Sequence, residues 1–304
     1  MEIAVVSHPF KRNFLSSFVF TPAALPFTDK DIIKHDQELT YFEQAFLNPD
    51  IEKVLISKNE LLASFAISKA ELSTLTLNEA QDVYNLILSN KKYDFIGEKL
   101  KKNKKLTQKD CDKLEFFNIA KTFRQLNQHP FTFDTISLQL IQKLHQELTQ
   151  GLDIFNKYLT DFTLYKSGTW RDNNLIRVGD YIPAPYQEIE KDVQELVDWL
   201  KKNKTVTGVD IFHTALYGVH PFNNGNKRVC RILEHILQRQ VGINHKNLYS
   251  TSYYYHKEKP RYYKHLLYSL ERKNLNHFVS FIQEAILLSM VSVVKTSLEA
   301  KRND

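Results

Sequence analysis

Seven of the eight glycines in this 304-residue chain fall between Gly151 and Gly242. Glycine and proline are both used at about half their ordinary frequency. Outside that third, the backbone has few positions where it can turn left-handed at low cost. Such usage argues against turn-rich all-β folds, collagen-like repeats and low-complexity disorder, and it favours helices. It also says where unusual backbone geometry is concentrated.

The hydrophobic pattern supplies the helices. Residues 1 to about 30 read as an irregular arm, broken at Pro9, Pro22 and Pro26. From Thr76, TLNE is a capping box, in which the Thr76 hydroxyl accepts from the Glu79 amide while Glu79 reaches back. It opens a helix with Ala80, Val83, Leu86 and Ile87 on one face. Further helices are expected over 107–127 and 135–150, the latter stopped by Gly151. Periodicity returns over 187–203, 209–218, 226–240, 261–272 and 275–297. Between them, 168–186 has hairpin character, with a turn at Asn173-Asn174 and a strand through Leu175, Ile176 and Val178. There is no repeat of solenoid period. The expectation is an all-α bundle carrying one small β-hairpin.

Length suits two domains or one enlarged one. Apolar residues make up 42% and charged residues 25%, as in an ordinary globular protein. No uninterrupted apolar run spans a bilayer, since Phe278–Val294 is broken by Ser280, Gln283, Glu284, Ser289 and Ser292. With no apolar leader, the expectation is a cytoplasmic protein without a membrane partner, export into a host cell being the open alternative. Cys111 and Cys230 are too few for a disulfide framework or a four-cysteine zinc site. The net charge is +6, but the densest basic run, Lys99 to Lys105, has no aromatic interleaving. It reads as a solvated face, and no nucleic-acid partner is expected.

Chemistry is concentrated in HTALYGVHPFNNGNKRVCR, 213–231. A helix ends near Gly218, a glycine-asparagine loop follows, and a second helix opens with Lys227, Arg228 and Arg231. Exposed first-turn amides, the positive end of a helix dipole and three cations suit a polyphosphate. His220 beside them has the ordinary pKa range of a base acting on a hydroxyl. HPF itself carries nothing, because it occurs at His8 and His129 as well; only the third copy runs into this loop.

HPFNNGNKRVCR resembles the signature of the Fic (Fido-superfamily) proteins, His-Pro-Phe-x-Asp/Glu-Gly-Asn-Gly-Arg-x-x-Arg, at His220, Pro221, Phe222, Gly225, Asn226, Arg228 and Arg231. Gly168 and Arg171 resemble the family's Gly-x-x-Arg, and Val178-Gly179 with Tyr181-Ile182-Pro183 resembles its flap hairpin. His145 and His213 fall where the family often has histidine. Ser252, Tyr262-Tyr263 and Leu266 resemble the helix downstream, while Leu25-Pro26 and NELLASFAISK resemble its leading helical domain. The resemblance implies a Fic-type helical bundle with a β-hairpin flap, divided into an N-terminal region, 1–105, and a core, 106–304.

It further implies transfer of AMP from ATP, with Mg²⁺, to a Tyr, Thr or Ser hydroxyl of a target protein. His220 would be the base and Phe222 the loop's anchor. Gly225, Asn226, Lys227, Arg228 and Arg231 would meet the phosphates, with Tyr263 near the adenine. Arg171, Ile176, Val178 and Tyr181 would form the target-clamping flap. Three positions depart from the pattern. Asn224, whose neutral amide oxygen can still be a metal ligand, replaces the acidic one, and Lys227 replaces a glycine, as in Doc-type phosphotransferases. Ser68 stands at the inhibitory glutamate of the leading helix. Doc-like phosphotransfer and a catalytically weak binding module are therefore the alternatives, and a homodimer is an open option. Because Ser68 offers only a neutral hydroxyl, no autoinhibition is expected, Glu71 being the replacement inhibitor if that expectation fails.

Overall fold

A computed structural model describes residues 6–46, 48–90, 93–157 and 166–302. Its helices are α1 (Asp29–Phe46), α2 (Pro49–Ala70), α3 (Leu77–Leu88), α4 (Phe95–Lys101), α5 (Gln108–Gln128) and α6 (Leu138–Thr149). They continue as α7 (Ile189–Lys202), α8 (Val206–Val219), α9 (Asn226–Gln240), α10 (Thr251–Lys257), α11 (Lys259–Glu271) and α12 (Asn276–Arg302). Several begin where a side chain satisfies first-turn amides. Thr76 and Thr107 form full capping boxes, and Ser137 and Thr205 cap α6 and α8.

The main core is built around α8, of which every residue but Thr207 is buried. Helices α1, α7, α9, α11 and α12 pack around it. The apolar stretch Asn276–Val294 of α12 is long enough to span a bilayer, but 56% of it is buried inside the protein, so packing accounts for its hydrophobicity. The N-terminal arm is irregular and strapped to α7. Phe10, Leu15, Phe18 and Phe20 enter the core, the Lys11 and Arg12 amides donate to Glu195, and the Leu15 amide donates to Asp192. Helix α2 lies against α5, α9 and α10, which brings its C-terminal end to the first turn of α9.

The hairpin expected at 168–186 is not formed. Among the described residues there is no β-strand, and the segment's only pairing is an isolated bridge between Val178 and Tyr181. Side chains take the backbone groups that a ladder would use. Arg171 donates to the carbonyls of Asn173 and Ala184, and Arg177 donates to those of Asn174 and Ile176. The Leu175 amide donates to Asn173 Oδ1 and the Tyr186 amide to Asn174 Oδ1. On the return side Pro183 and Pro185 have no N–H to offer. The segment is a loop pinned by side chains.

Beneath α8, Glu234 is a buried hub. It accepts from Thr251 Oγ1 at 2.6 Å and Tyr255 OH at 2.9 Å, and it pairs with His213 Nδ1. Glu234→Leu would leave those groups buried without their acceptor, at a cost of about 3–5 kcal/mol. Urea denaturation should show a lower midpoint at unchanged slope; an unaltered midpoint would refute the hub.

Candidate functional site

Helix α8 ends at His220, which adopts the left-handed conformation (φ 52°, ψ 61°). That is uncommon for a residue with a Cβ, so its neighbours must hold it. The His220 amide donates to Leu216 O at 3.1 Å, and its carbonyl accepts from Arg171 Nε at 2.8 Å. The Arg171 amide donates to Pro221 O at 2.8 Å, which ties the pinned loop to the next residue as well.

Phe222 then turns fully into the core. Its ring stacks on His145, with centroids 3.8 Å apart and planes within 2°, and lies 4.9 Å from Trp170. His145 holds a single tautomer, because Nε2–H donates to Asn224 O at 2.9 Å while Nδ1 accepts from the Gly168 amide at 2.9 Å. Burial, helped by nearby Arg228, lowers its pKa to about 3, so it is a neutral brace. The Asn226 side chain closes the loop from both ends: Oδ1 accepts from the Phe222 amide at 3.0 Å, and Nδ2 donates to the Phe222 carbonyl at 2.8 Å. Between them Gly225 sits at φ +83°, and a Cβ there would lie 3.2 Å from the His145 ring. The first intrahelical bond of α9 runs from Val229 to Gly225, so the amides of Asn226, Lys227 and Arg228 precede it.

These elements wall a cavity of about 910 Å³. His220, Tyr217 and Asn223–Lys227 form one side, Ile176–Gly179 another, and Glu71 and Tyr263 a third. Burial, reinforced by Arg171 and Lys227, lowers the His220 pKa to about 3, which leaves its imidazole unprotonated at neutral pH. Lys227 reaches the end of α2: Nζ donates to Ala70 O at 2.8 Å and to Tyr263 OH at 3.2 Å, and it lies 3.5 Å from Glu71 Oε2. Burial pushes the Glu71 pKa up, but Lys227, Arg228 and Arg231 outweigh it and hold the carboxylate below its ordinary value. Glu71 Oε1 is buried without a hydrogen bond.

The two arginines stand behind the cavity wall. Arg228 Nη1 lies 3.1 Å from Glu115 Oε2 on α5, and Nη2 donates to Asn224 Oδ1 at 3.0 Å. Burial pushes Glu115 up to about 7 against the pull of Arg228. Arg231 lies under α2, with its guanidinium 4.5 Å from the Tyr262 ring centroid and Nη1 donating to Ala66 O at 3.3 Å.

A divalent cation at position 224 does not fit this arrangement. Asn224 Oδ1 already accepts from the Gly225 amide at 2.6 Å as well as from Arg228. Among the described residues, no group of three or more His, Cys, Asp or Glu side chains is gathered as a metal site. The donors left are neutral or ion-paired, whereas Mg²⁺ prefers charged oxygens.

Of the residues singled out in the sequence, His220, Asn224, Gly225, Asn226, Lys227, Tyr263, Ile176 and Val178 line one cavity. Arg228 and Arg231 do not line it. Arg171 and Tyr181 brace the backbone, the latter by donating to Gly218 O at 2.9 Å. Ser68 is buried, and its hydroxyl has no partner. The carboxylate facing the cations comes from Glu71, three residues further on. Glu115 carries no motif, and only its position on α5 opposite Arg228 reveals it.

Residues 135–238 match the family described as Fic/DOC. A probable protein adenylyltransferase of Aquifex aeolicus is 27% identical over 158 residues, which is 48% of this chain and 46% of the relative. The protein adenylyltransferase fic-1 of Caenorhabditis elegans is 27% identical over 116 residues, 36% of this chain and 22% of that protein. The chain thus spans less than half the length of these curated relatives. Among solved structures, a Fic family protein from Desulfovibrio desulfuricans superposes with a TM-score of 0.64 at 18% identity, covering 90% of this chain and 77% of that one. At that identity the likeness is one of fold.

The loop's closure is testable without a ligand. Asn226→Ala strands the buried Phe222 amide and carbonyl, at a cost of about 2–4 kcal/mol. Thermal denaturation should fall accordingly, and trypsin should cut faster at Lys227. A shift worth less than about 0.5 kcal/mol, which is ordinary for surface changes, would mean that Phe222 packing holds the loop alone.

Proposed function

Since the chain belongs to the Fic/Doc (Fido) superfamily, we propose that its cavity binds a nucleoside polyphosphate and transfers the nucleotidyl group, AMP in the leading reading, to a hydroxyl of a target protein. The observation that carries this is that His220, which burial keeps unprotonated, and the first two residues of α9, Asn226 and Lys227, line one cavity. In the step, His220 takes the proton of a target Tyr, Thr or Ser hydroxyl. The hydroxyl oxygen bonds to the α-phosphorus, the bond from that phosphorus to the bridging oxygen breaks, and pyrophosphate leaves. The amides of Asn226 and Lys227 and the Lys227 ammonium would meet the phosphate charge. Arg228, held by Glu115 and Asn224, adds positive field from behind the loop. Arg231 lies beneath α2, so a long phosphate chain reaches it only if α2 moves.

Glu71 works against that binding. Among the described residues it is the one carboxylate lining the cavity, and it lies 3.5 Å from the Lys227 ammonium. We read it as the anion that a polyphosphate must displace, a restraint that Ser68 could not supply. Glu71→Gln should tighten binding of a nucleoside diphosphate about tenfold, measured by calorimetry. Weaker or unchanged binding would remove Glu71 from that role.

Phosphotransfer is the second reading, favoured by Lys227 in the cavity. Incubating the protein with candidate targets and ATP labelled at the α- or the γ-phosphate distinguishes the two. Label from the α-position supports nucleotidyl transfer, label from the γ-position alone supports phosphotransfer, and neither supports a binding module. His220→Ala should lower the transfer rate by about 10²–10⁴ while nucleotide affinity stays within a few-fold, since the imidazole acts on the acceptor. Because burial lowers the His220 pKa to about 3, acidification from neutrality leaves the base intact. The profile of kcat/KM should stay level to about pH 5, where an ordinary histidine would already be protonated. An acid limb centred near pH 6.5 would contradict this.

A further inference from the structure

We infer that Lys227 supplies in this chain the positive charge that a divalent cation would otherwise bring to the phosphates, so that polyphosphate binding here is independent of divalent metal. The inference rests on the reading of the cavity as a nucleotide site, and three observations carry it.

The first is the state of position 224. A metal ligand there would need a free, preferably charged oxygen, yet Asn224 Oδ1 is neutral and accepts from both the Gly225 amide and Arg228. The second is the charge already present. A dication entering the cavity would approach Lys227, with Arg228 and Arg231 behind it, and would find Glu71 as the only lining carboxylate among the described residues, itself 3.5 Å from the Lys227 ammonium. Coulomb repulsion in a half-enclosed site disfavours that entry.

The third observation is how Lys227 is held. A lysine at a helix start ordinarily extends into water, where its flexible stem is costly to order. Here the side chain is only 20% exposed, and two of its partners, Ala70 O at 2.8 Å and Tyr263 OH at 3.2 Å, fix the ammonium in the cavity. The ammonium has three N–H donors, and the third faces Glu71. A phosphate oxygen that takes the place of the Glu71 carboxylate gains a fixed point charge on the same face as the first-turn amides of α9.

Calorimetric titration of the full chain with ADP, in EDTA and in excess magnesium, tests this, using wild type and Glu71→Gln. The expected result is a Kd in EDTA within about threefold of that in magnesium. Lys227→Met should weaken binding at least about tenfold in both buffers, while Lys227→Arg, which keeps the charge, should retain binding in EDTA. The double variant Asn224→Asp/Lys227→Gly should bind weakly in EDTA and recover about tenfold with magnesium. Thermal denaturation of each variant confirms that it is folded. Binding by wild type that is about tenfold tighter in magnesium overturns the inference and leaves the nucleotide reading standing. Unchanged affinity in folded Lys227→Met also overturns it. No binding in either buffer, by wild type or Glu71→Gln, overturns the nucleotide reading and the inference with it.

Discussion

The paired hydrogen bonds from the Asn226 side chain to the Phe222 backbone hold the rest of the site in place. They close a five-residue turn between α8 and α9, and the closed turn drives Phe222 between His145 and Trp170. With Phe222 fixed, His145 can reach Asn224 O and the Gly168 amide together, which binds the loop to α6 and to the segment that follows it. His220 is thereby kept in a conformation that a free chain would seldom adopt. Arg171 holds its carbonyl, and His220 lines the cavity. Asn226 does this work with its side chain, so what it can present to an anion is its backbone amide.

A second constraint is the meeting of two helix ends. The C-terminal carbonyls of α2 and the N-terminal amides of α9 carry opposite partial charges, and their approach is favourable. Lys227 and Arg231 strengthen it by donating to Ala70 O and Ala66 O. The same contacts take cations that a polyphosphate would otherwise use, and Glu71, just past the end of α2, adds a full negative charge. The resting site therefore has its charge internally compensated. Under the proposed function, ligand binding would be an exchange of one anion for another, decided by the difference between a phosphate and a carboxylate at the same ammonium.

Burial sets the protonation of the site in both directions. His145 and His220 are kept neutral because the low-dielectric surroundings and nearby cations disfavour imidazolium. Glu115 is pushed up by the same burial even though it faces Arg228. Glu71 stays ionised, because three cations together outweigh its desolvation. An acid with one arginine and an acid with three cations thus end on opposite sides of the ordinary carboxylate range.

Much of the helical order was legible in the sequence, because it is set by local rules. The 3.6-residue periodicity and the capping residues Thr76 and Thr107 mark α3, α5, α7, α8, α9 and α12 to within a few residues, since a cap and an apolar stripe act over one or two turns. The loop 220–226 could be read in the same way, its glycine, asparagines and following cations all lying within one short stretch. The hairpin could not. Alternating apolar residues after Asn173-Asn174 allow strands, but whether a ladder forms depends on what else can take the backbone groups, and Arg171, Asn173, Asn174 and Arg177 take them here. The sequence offers Glu71 only as a fallback for Ser68, and it does not tell that Glu115 stands against Arg228. Those pairings join residues more than forty positions apart, and only the packing of α2 and α5 against α9 brings them together. Short-range geometry is written residue by residue, whereas long-range charge pairing depends on how whole helices pack.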